Sequence, residues 1–224
     1  KLIGILGIFT ILALAYLLSN NKKNIKPRII IWGLGLQILF GLFIITPLGK
    51  KIFSSFDAFF QKLLGFSYQG SLFLFGSFES GAIEPAVTNF AFVVLPTVIF
   101  FSALMSVLYY SGIMQKVIKI IALIMQRTMK TSGAETTSIS ANIFVGQTEA
   151  PLVIRPFINK MTKSELTAVM TGGFATVAGG VMAIYVGMLK NVDGIAGHLL
   201  AASVMSAPAA LVISKIIYPE TNES

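Results

Sequence analysis

Cysteine is absent from the 224 residues and histidine occurs once. The first absence excludes a disulfide framework, a thiol nucleophile, an iron–sulfur cluster and a thiolate zinc site. The second excludes a multi-histidine metal centre within one chain. Charge is scarce too: Asp, Glu, Lys and Arg make up 12% of the residues, about half the ~25% of a soluble domain. Acidic residues are the scarcest, 9 against 17 Lys plus Arg. No HExxH, no phosphate-cradling Gly-Lys-Ser/Thr motif and no credible Ser/His/Asp order is present, so no enzyme is expected. What fills the space is apolar: 55% of residues are hydrophobic and mean hydropathy is +0.82. That composition excludes a water-soluble globule and a disordered chain and defines an integral membrane protein. A net charge of +8 would suggest nucleic acid in a soluble protein. Here the cations fall between apolar runs, where they set orientation in a lipid bilayer, and no nucleic-acid partner is expected.

Uncharged stretches of about 18 residues or more are spanning candidates. Five qualify: Leu2–Asn21, Ile29–Gly49, Pro85–Gln115 with its apolar part over Phe90–Tyr110, Leu166–Leu189, and Gly194–Ser214. The first, with no small-residue cleavage site before a polar domain, is expected to be a retained helix rather than a signal peptide. Leu63–Phe78, rich in Gly, Ser and Phe, lies in a long connection and is expected to be interfacial or partly embedded. Gly112–Lys130 gathers Gln115, Lys116, Lys119, Gln126, Arg127 and Lys130 on one arc, with Ile and Met on the rest. It is read as a basic amphipathic helix, either lying in the membrane surface or packed at a subunit contact. Thr136–Ile154 is semi-polar and holds Gly146, Glu149 and Pro151, which fits a membrane-embedded hairpin better than a span. If this segment enters and returns on one side, twelve of the 17 Lys and Arg share that side; if it spans, the split is nearly even. The positive-inside bias favours the hairpin, with the N-terminus outside and the C-terminus inside.

The expected fold is therefore an all-α integral membrane protein of about five transmembrane helices, an amphipathic helix and one re-entrant hairpin. Its parts divide as two N-terminal helices over 1–49, an outer connection over 50–84, a scaffold-type helix over 85–115, the interfacial helix over 116–130, the hairpin over 131–160, and a broken helix, a following helix and a cytoplasmic tail over 161–224.

Charge inside a bilayer costs about 2.5–3.5 kcal/mol at a helix centre, which makes Glu149 a candidate functional group. It sits in Asn142-Ile-Phe-Val-Gly-Gln-Thr-Glu-Ala-Pro151. At such a tip Gly146 permits the turn, Pro151 limits helix continuation, and backbone groups lose their intrahelical partners. Such groups are tolerated at membrane depth only inside protein or lining a wet cavity. Amide, hydroxyl, carboxylate and free backbone together suit a polar solute; a structural ion pair of Glu149 with Arg155 or Lys160 is the alternative. Thr171-Gly-Gly-Phe-Ala-Thr-Val-Ala-Gly-Gly-Val181 holds four glycines in eleven residues. It reads either as a broken helix that coordinates ions through freed carbonyls or as close packing through small residues. His198 reads as interfacial or as a proton-linked group, and Trp32 as an aromatic-belt anchor.

The stretch from Ser132 to Pro156, with Gly146-Gln-Thr-Glu-Ala-Pro151 at its centre, closely resembles the first re-entrant hairpin of the concentrative nucleoside transporters. Thr171–Val181 resembles the broken helix that follows it, and His198–Pro208 the next helix. The resemblance implies a trimeric, inverted-repeat symporter in the cytoplasmic membrane that moves nucleoside and cation by an elevator-like motion. Gly146, Gln147, Thr148 and Glu149 match positions that hold the nucleobase, and Val181 an apolar residue that packs on it. Asn142, Val145, Thr176 and Val177 match positions that coordinate a sodium ion, largely through carbonyls. The Gly-Gln-Thr-Glu-Ala-Pro form is more similar to the sodium-coupled branch than to the proton-coupled one. Members continue with a second half that binds ribose, so the resemblance also implies a C-terminal half of the same protein as partner. A truncated, non-transporting membrane scaffold or assembly subunit is the alternative function.

Overall fold

The computed structural model describes residues 2–79, 90–189 and 192–221. Residues 80–84 of the expected connection, the start of the third expected span at 85–89, and Lys1 and Lys190 of the charge count lie outside them. Among the described residues all regular structure is helical. The first part is α1 (Leu2–Leu17), a 3-10 turn over Lys22–Asn24, α2 (Pro27–Ile45), α3 (Pro47–Glu79), a π-helical turn over Phe90–Val94, α4 (Leu95–Tyr110) and α5 (Ile113–Met129). The second is α6 (Gly133–Asn142), the short α7 (Ala150–Val153), a 3-10 segment over Arg155–Lys160, α8 (Lys163–Ala175), α9 (Gly179–Met188) and α10 (Ile195–Ile217).

Among the described residues three helical stretches are long and apolar enough to cross a bilayer, α2, α8 with α9 as Lys163–Met188, and α10, with a fourth if the bent pair α4 and α5 counts as one span. At 16 residues each, α1 and α4 are shorter than the ~20 residues of a full crossing, and the π-helical turn extends α4 back to Phe90. Where a long connection is expected after residue 50, the structure has one 33-residue helix, α3. Its residues find tertiary partners that sequence alone does not supply. Ser67 Oγ bonds Thr97 Oγ1 at 3.2 Å, Phe60 stacks on Phe101 with centroids 4.9 Å apart, and Asp57 Oδ1 accepts the Ala196 amide at 3.0 Å. That last bond satisfies one of the orphan N–H groups in the first turn of α10.

The centre of the fold is the packing of α10 on α2 and α8. Gly33 makes the first contact possible: a β-carbon there would run into Val212 and lie 3.1 Å from the Met129 methyl. Beside it Gln37 Nε2 donates to the Met205 carbonyl at 3.2 Å, one turn before Pro208, which sits inside α10 and removes a helix hydrogen bond.

Helix α5 is amphipathic as expected, and its apolar stripe packs within the chain. Two left-handed residues bound it, Gly112 at φ 75° and Lys130 at φ 53°, and it turns 78° from α4. Met114, Ile118, Ala122, Met125 and Met129 are buried, a helical stripe that faces α6. Ile113, Ile120 and Ile124 stay exposed, beside exposed Lys116, Lys119, Arg127 and Lys130.

Three helix ends meet at a buried charge cluster. Both α6 and α8 open with capping boxes, Ser132 with Glu135 and Thr162 with Glu165. Lys215, near the end of α10 and 5% exposed, lies 2.8 Å from Glu135 Oε2, itself 1% exposed. The same ammonium donates to Ser164 Oγ at 3.0 Å and to Glu220 Oε2 at 3.4 Å. Thr162 Oγ1 donates to that Glu220 oxygen at 2.8 Å.

Candidate functional site

A turn after α6 and a break after α8 are both present as backbone features. After α6 the chain leaves the helix at Asn142, and the Phe144 and Val145 amides both bond the Ala141 carbonyl at 3.0 Å. It then turns through Gly146, whose carbonyl accepts the Glu149 and Ala150 amides at 3.1 and 3.0 Å. Helix α8 stops at Ala175, Thr176 is extended at φ −115°, ψ 157°, and α9 restarts at Gly179 after Ala178 at φ −58°, ψ 144°. The run of four glycines is thus interrupted at Thr176-Val177-Ala178, between the two glycine pairs.

Three of these glycines pack on α6 and the turn that follows it. A β-carbon on Gly172 would stand 2.6 Å from Ile139, one on Gly173 3.0 Å from Gln147 Cβ and 3.5 Å from Asn142 Nδ2, and one on Gly179 2.6 Å from the Phe144 carbonyl oxygen. Across this last contact the Gly179 amide donates to the Phe144 carbonyl at 3.0 Å. Gly146 approaches Ala178, whose methyl would lie 3.4 Å from a β-carbon there. Close packing and helix breaking, alternatives in the sequence, are here the same arrangement.

The expected site residues separate into two layers. Asn142, Val145 and Thr176 are buried, at 2%, 3% and 8% exposure, and Val177 is half-buried. The Thr176 hydroxyl is turned back on the Gly172 carbonyl at 3.1 Å. No hydrogen bond from the described residues reaches the carbonyls of Asn142, Val145, Thr176 or Val177, and the buried Asn142 amide side chain likewise has no partner among them. Uncommitted oxygens at two helix ends are the donor set a hard monovalent cation takes, and broken helices present carbonyls in this way. The second layer is open: Gln147, Thr148 and Glu149 are exposed, as is Val181 at 42% in the first turn of α9. Neither Arg155 nor Lys160 forms an ion pair with Glu149 among the described residues, which corrects the structural-pair alternative. The carboxylate is left available at the edge of the turn.

Two groups on the helices around the site carry no obvious signal in the sequence. Tyr109 Oη on α4 is buried without a hydrogen-bond partner among the described residues, in a cluster with Val145 and Ala150. Glu135 is the carboxylate through which α6 is held to Lys215. His198 lines a separate cavity of about 180 Å³ with Lys50, Phe53 and Ser54, at the opposite end of α10 from Lys215.

Comparison with known proteins agrees with this geometry. A family model described as "Na+ dependent nucleoside transporter N-terminus" matches residues 6–78, and one described as "Nucleoside recognition" matches residues 91–192. An uncharacterized transporter of Haemophilus influenzae is 45% identical over 221 residues, covering 98% of this chain and 52% of that protein. Sodium/nucleoside cotransporter 1 of Rattus norvegicus is 48% identical over 226 residues, covering 100% of this chain and 33% of that protein. Among solved structures, CNTnw in an inward-facing substrate-bound state superposes with a TM-score of 0.88 at 41% identity, over 98% of this chain and 53% of that one. CNTnw in an intermediate state gives 0.90 at 41% identity, over 100% of this chain and 55% of that one. The chain spans about half the length of the bacterial relative and a third of the mammalian one. On these grounds the chain belongs to the sodium-dependent nucleoside transporter family, a family of transporters and not of enzymes, and corresponds to the N-terminal part of its members.

Proposed function

We propose that this chain supplies the nucleobase-recognising and sodium-holding part of a sodium-coupled nucleoside symporter. The observation that carries the reading is the docking of a Gly-Gln-Thr-Glu turn on a helix break, joined by the Gly179 to Phe144 bond at 3.0 Å. Sodium, as cargo, occupies the buried layer through the carbonyls of Asn142, Val145, Thr176 and Val177 and the Asn142 side chain. The nucleobase lies against the open layer: Gln147 offers a donor and an acceptor, Thr148 a hydroxyl, Glu149 an acceptor for ring or exocyclic N–H, and Val181 an apolar face. Because Gln147 packs on Gly173 of α8 while Asn142 faces the same glycine, an ion that holds the break also holds the base-binding turn. Each ligand then favours the arrangement the other needs, which is what coupling requires.

In this reading the turn between α6 and α7 is the tip of a re-entrant hairpin and the chain is one half of an inverted repeat. The rest of the transporter contributes the ribose-binding groups. The assembly is a homotrimer in the cytoplasmic membrane, with the N-terminus outside, and it carries its cargo by an elevator-like motion. The excess of cations on the α1–α2 loop and on α5 supports the orientation. The test is uridine uptake by the whole transporter. Glu149→Gln and Gln147→Ala are expected to abolish uptake at unchanged membrane level, and replacing sodium by choline to stop it. Undiminished uptake in either variant sinks the nucleobase site; uptake persisting in choline and driven by acid moves the coupling to protons.

A further inference from the structure

Cations that take no part in the proposed cargo site gather at one end of the helix bundle. Lys23, Lys26 and Arg28 line a cavity of about 470 Å³, with Asn24, Glu220 and Thr221 among its other walls. Lys23 and Lys26 are exposed and enter no ion pair or side-chain hydrogen bond among the described residues. Arg28 spends only its Nε, donated to the Thr128 carbonyl at 3.0 Å. That bond draws the last turn of α5, which carries exposed Arg127 and Lys130, to the same end. Among the described residues Glu220 is the one carboxylate in the wall, and its Oε2 is already engaged by Thr162 and Lys215. The cavity therefore holds positive charge in excess.

Its surroundings select the ligand. The loop joins two apolar helices, α1 and α2, so it lies at a boundary between lipid and water. Immediately on the lipid side, Leu17 and Leu18 before the loop and Ile31 after it are 66%, 71% and 68% exposed, and Trp32 is 46% exposed at headgroup depth. On α5, Ile120 and Ile124 continue the uncovered apolar surface at 60% and 51% exposure. A free anion would use the cations and leave this apolar rim bare. We propose that the cavity binds the phosphate headgroup of an anionic phospholipid, with its acyl chains along Leu18 and Ile31. Basic clusters next to a crossing helix recognise anionic headgroups on the same electrostatic grounds.

Native mass spectrometry of the detergent-purified protein, offered phosphatidylglycerol and phosphatidylcholine together, tests this. Phosphatidylglycerol adducts are expected to predominate. Lys23→Gln with Lys26→Gln should lower their retention roughly tenfold or more, on the scale of a cation at an anionic surface. Lys23→Arg with Lys26→Arg should retain them, and Lys116→Gln with Lys119→Gln, on the same face of α5 but away from the cavity, should too. Melting temperatures in the same detergent confirm that the variants are folded; should the Gln pair not fold, each single Gln variant is expected to show a smaller loss in the same direction. Equal retention of the two lipids, or an unchanged preference in the Gln variants, overturns the proposal. Displacement of the lipid by millimolar inorganic phosphate assigns the cavity to a free anion and overturns it as well.

Discussion

Replacing Lys215 by Met tests whether the buried charge cluster holds three helices together. The ammonium is 5% exposed and stands 2.8 Å from a Glu135 carboxylate that is 1% exposed. Without it, Glu135 keeps a single bond from the Ser132 amide at 2.9 Å, and Glu220 loses its cation. Removing one partner of a buried pair costs about 3–5 kcal/mol, because the other charge stays buried without compensation. For a chain of this size 1 kcal/mol moves the melting temperature by about 2–4 °C, so a fall on the order of 6–20 °C is expected. Glu135→Gln should cost less, since Lys215 retains Glu220 at 3.4 Å and Ser164 at 3.0 Å. The double variant, Lys215→Met with Glu135→Gln, removes both charges and should melt above the Lys215 single variant, since neutralising a buried pair together is milder than breaking it. Heating the detergent-solubilised variants and following the surviving monodisperse fraction by size exclusion gives the order. A Lys215 variant that melts with the wild type, or a double variant that melts below it, refutes the reasoning.

Gly179→Ala places a β-carbon 2.6 Å from the Phe144 carbonyl oxygen and 3.2 Å from the Met105 methyl. The carbonyl is backbone and already accepts the Gly179 amide, so the turn must move off the break; overpacking on the order of 1–3 kcal/mol predicts sodium-dependent uptake lowered about tenfold or more at normal membrane level, read as uptake across a sodium series. Asp57→Ala removes the acceptor of the Ala196 amide and is expected to cost about 1 kcal/mol, as loss of an N-cap does, or roughly 2–4 °C in melting temperature. Asp57→Asn, which keeps an acceptor, should restore most of it.

The apolar helices were legible because each satisfies its backbone internally and shows its length in composition: α2 begins at Pro27 and α10 at Ile195, within two residues of the expected starts. Helix α3 was not, because it is held by partners far away in the chain, Phe60 with Phe101 and Asp57 with the first turn of α10. The site was legible in parts. Gly146, Glu149 and Pro151 announced a polar turn, and the glycine run announced an irregularity. Nothing local said where the helix would break, since Thr176-Val177-Ala178 contains neither glycine nor proline. The break falls between the pair Gly172 and Gly173, where Ile139 of α6 and Gln147 of the turn come close, and Gly179, where the Phe144 carbonyl leaves no room for a side chain. The pairing of Glu135 with Lys215 left only half a trace: the capping box of Ser132 and Glu135 is local, its cation is not.

That division bears on how the two layers of the site depend on each other. The buried layer is made of backbone at helix ends, and such ends hold their geometry only if something fixes the helices that carry them. Helix α6 enters the site at Asn142 and is anchored at its other end through Glu135; α8 enters at Thr176 and is anchored at its other end through Ser164 and the Thr162 cap. Both anchors converge on Lys215. The site and the charge cluster are therefore opposite ends of one pair of helices, packed between them by Ile139 against Gly172. A disturbance at Lys215 should reach the proposed sodium layer as a change in the angle between α6 and α8, and so weaken apparent sodium affinity before it alters contacts with the base. Uptake by Lys215→Met that needs more sodium for half-saturation, while keeping its nucleoside preference, is the expected sign. Lost preference at unchanged sodium dependence would mean that the two ends are mechanically independent.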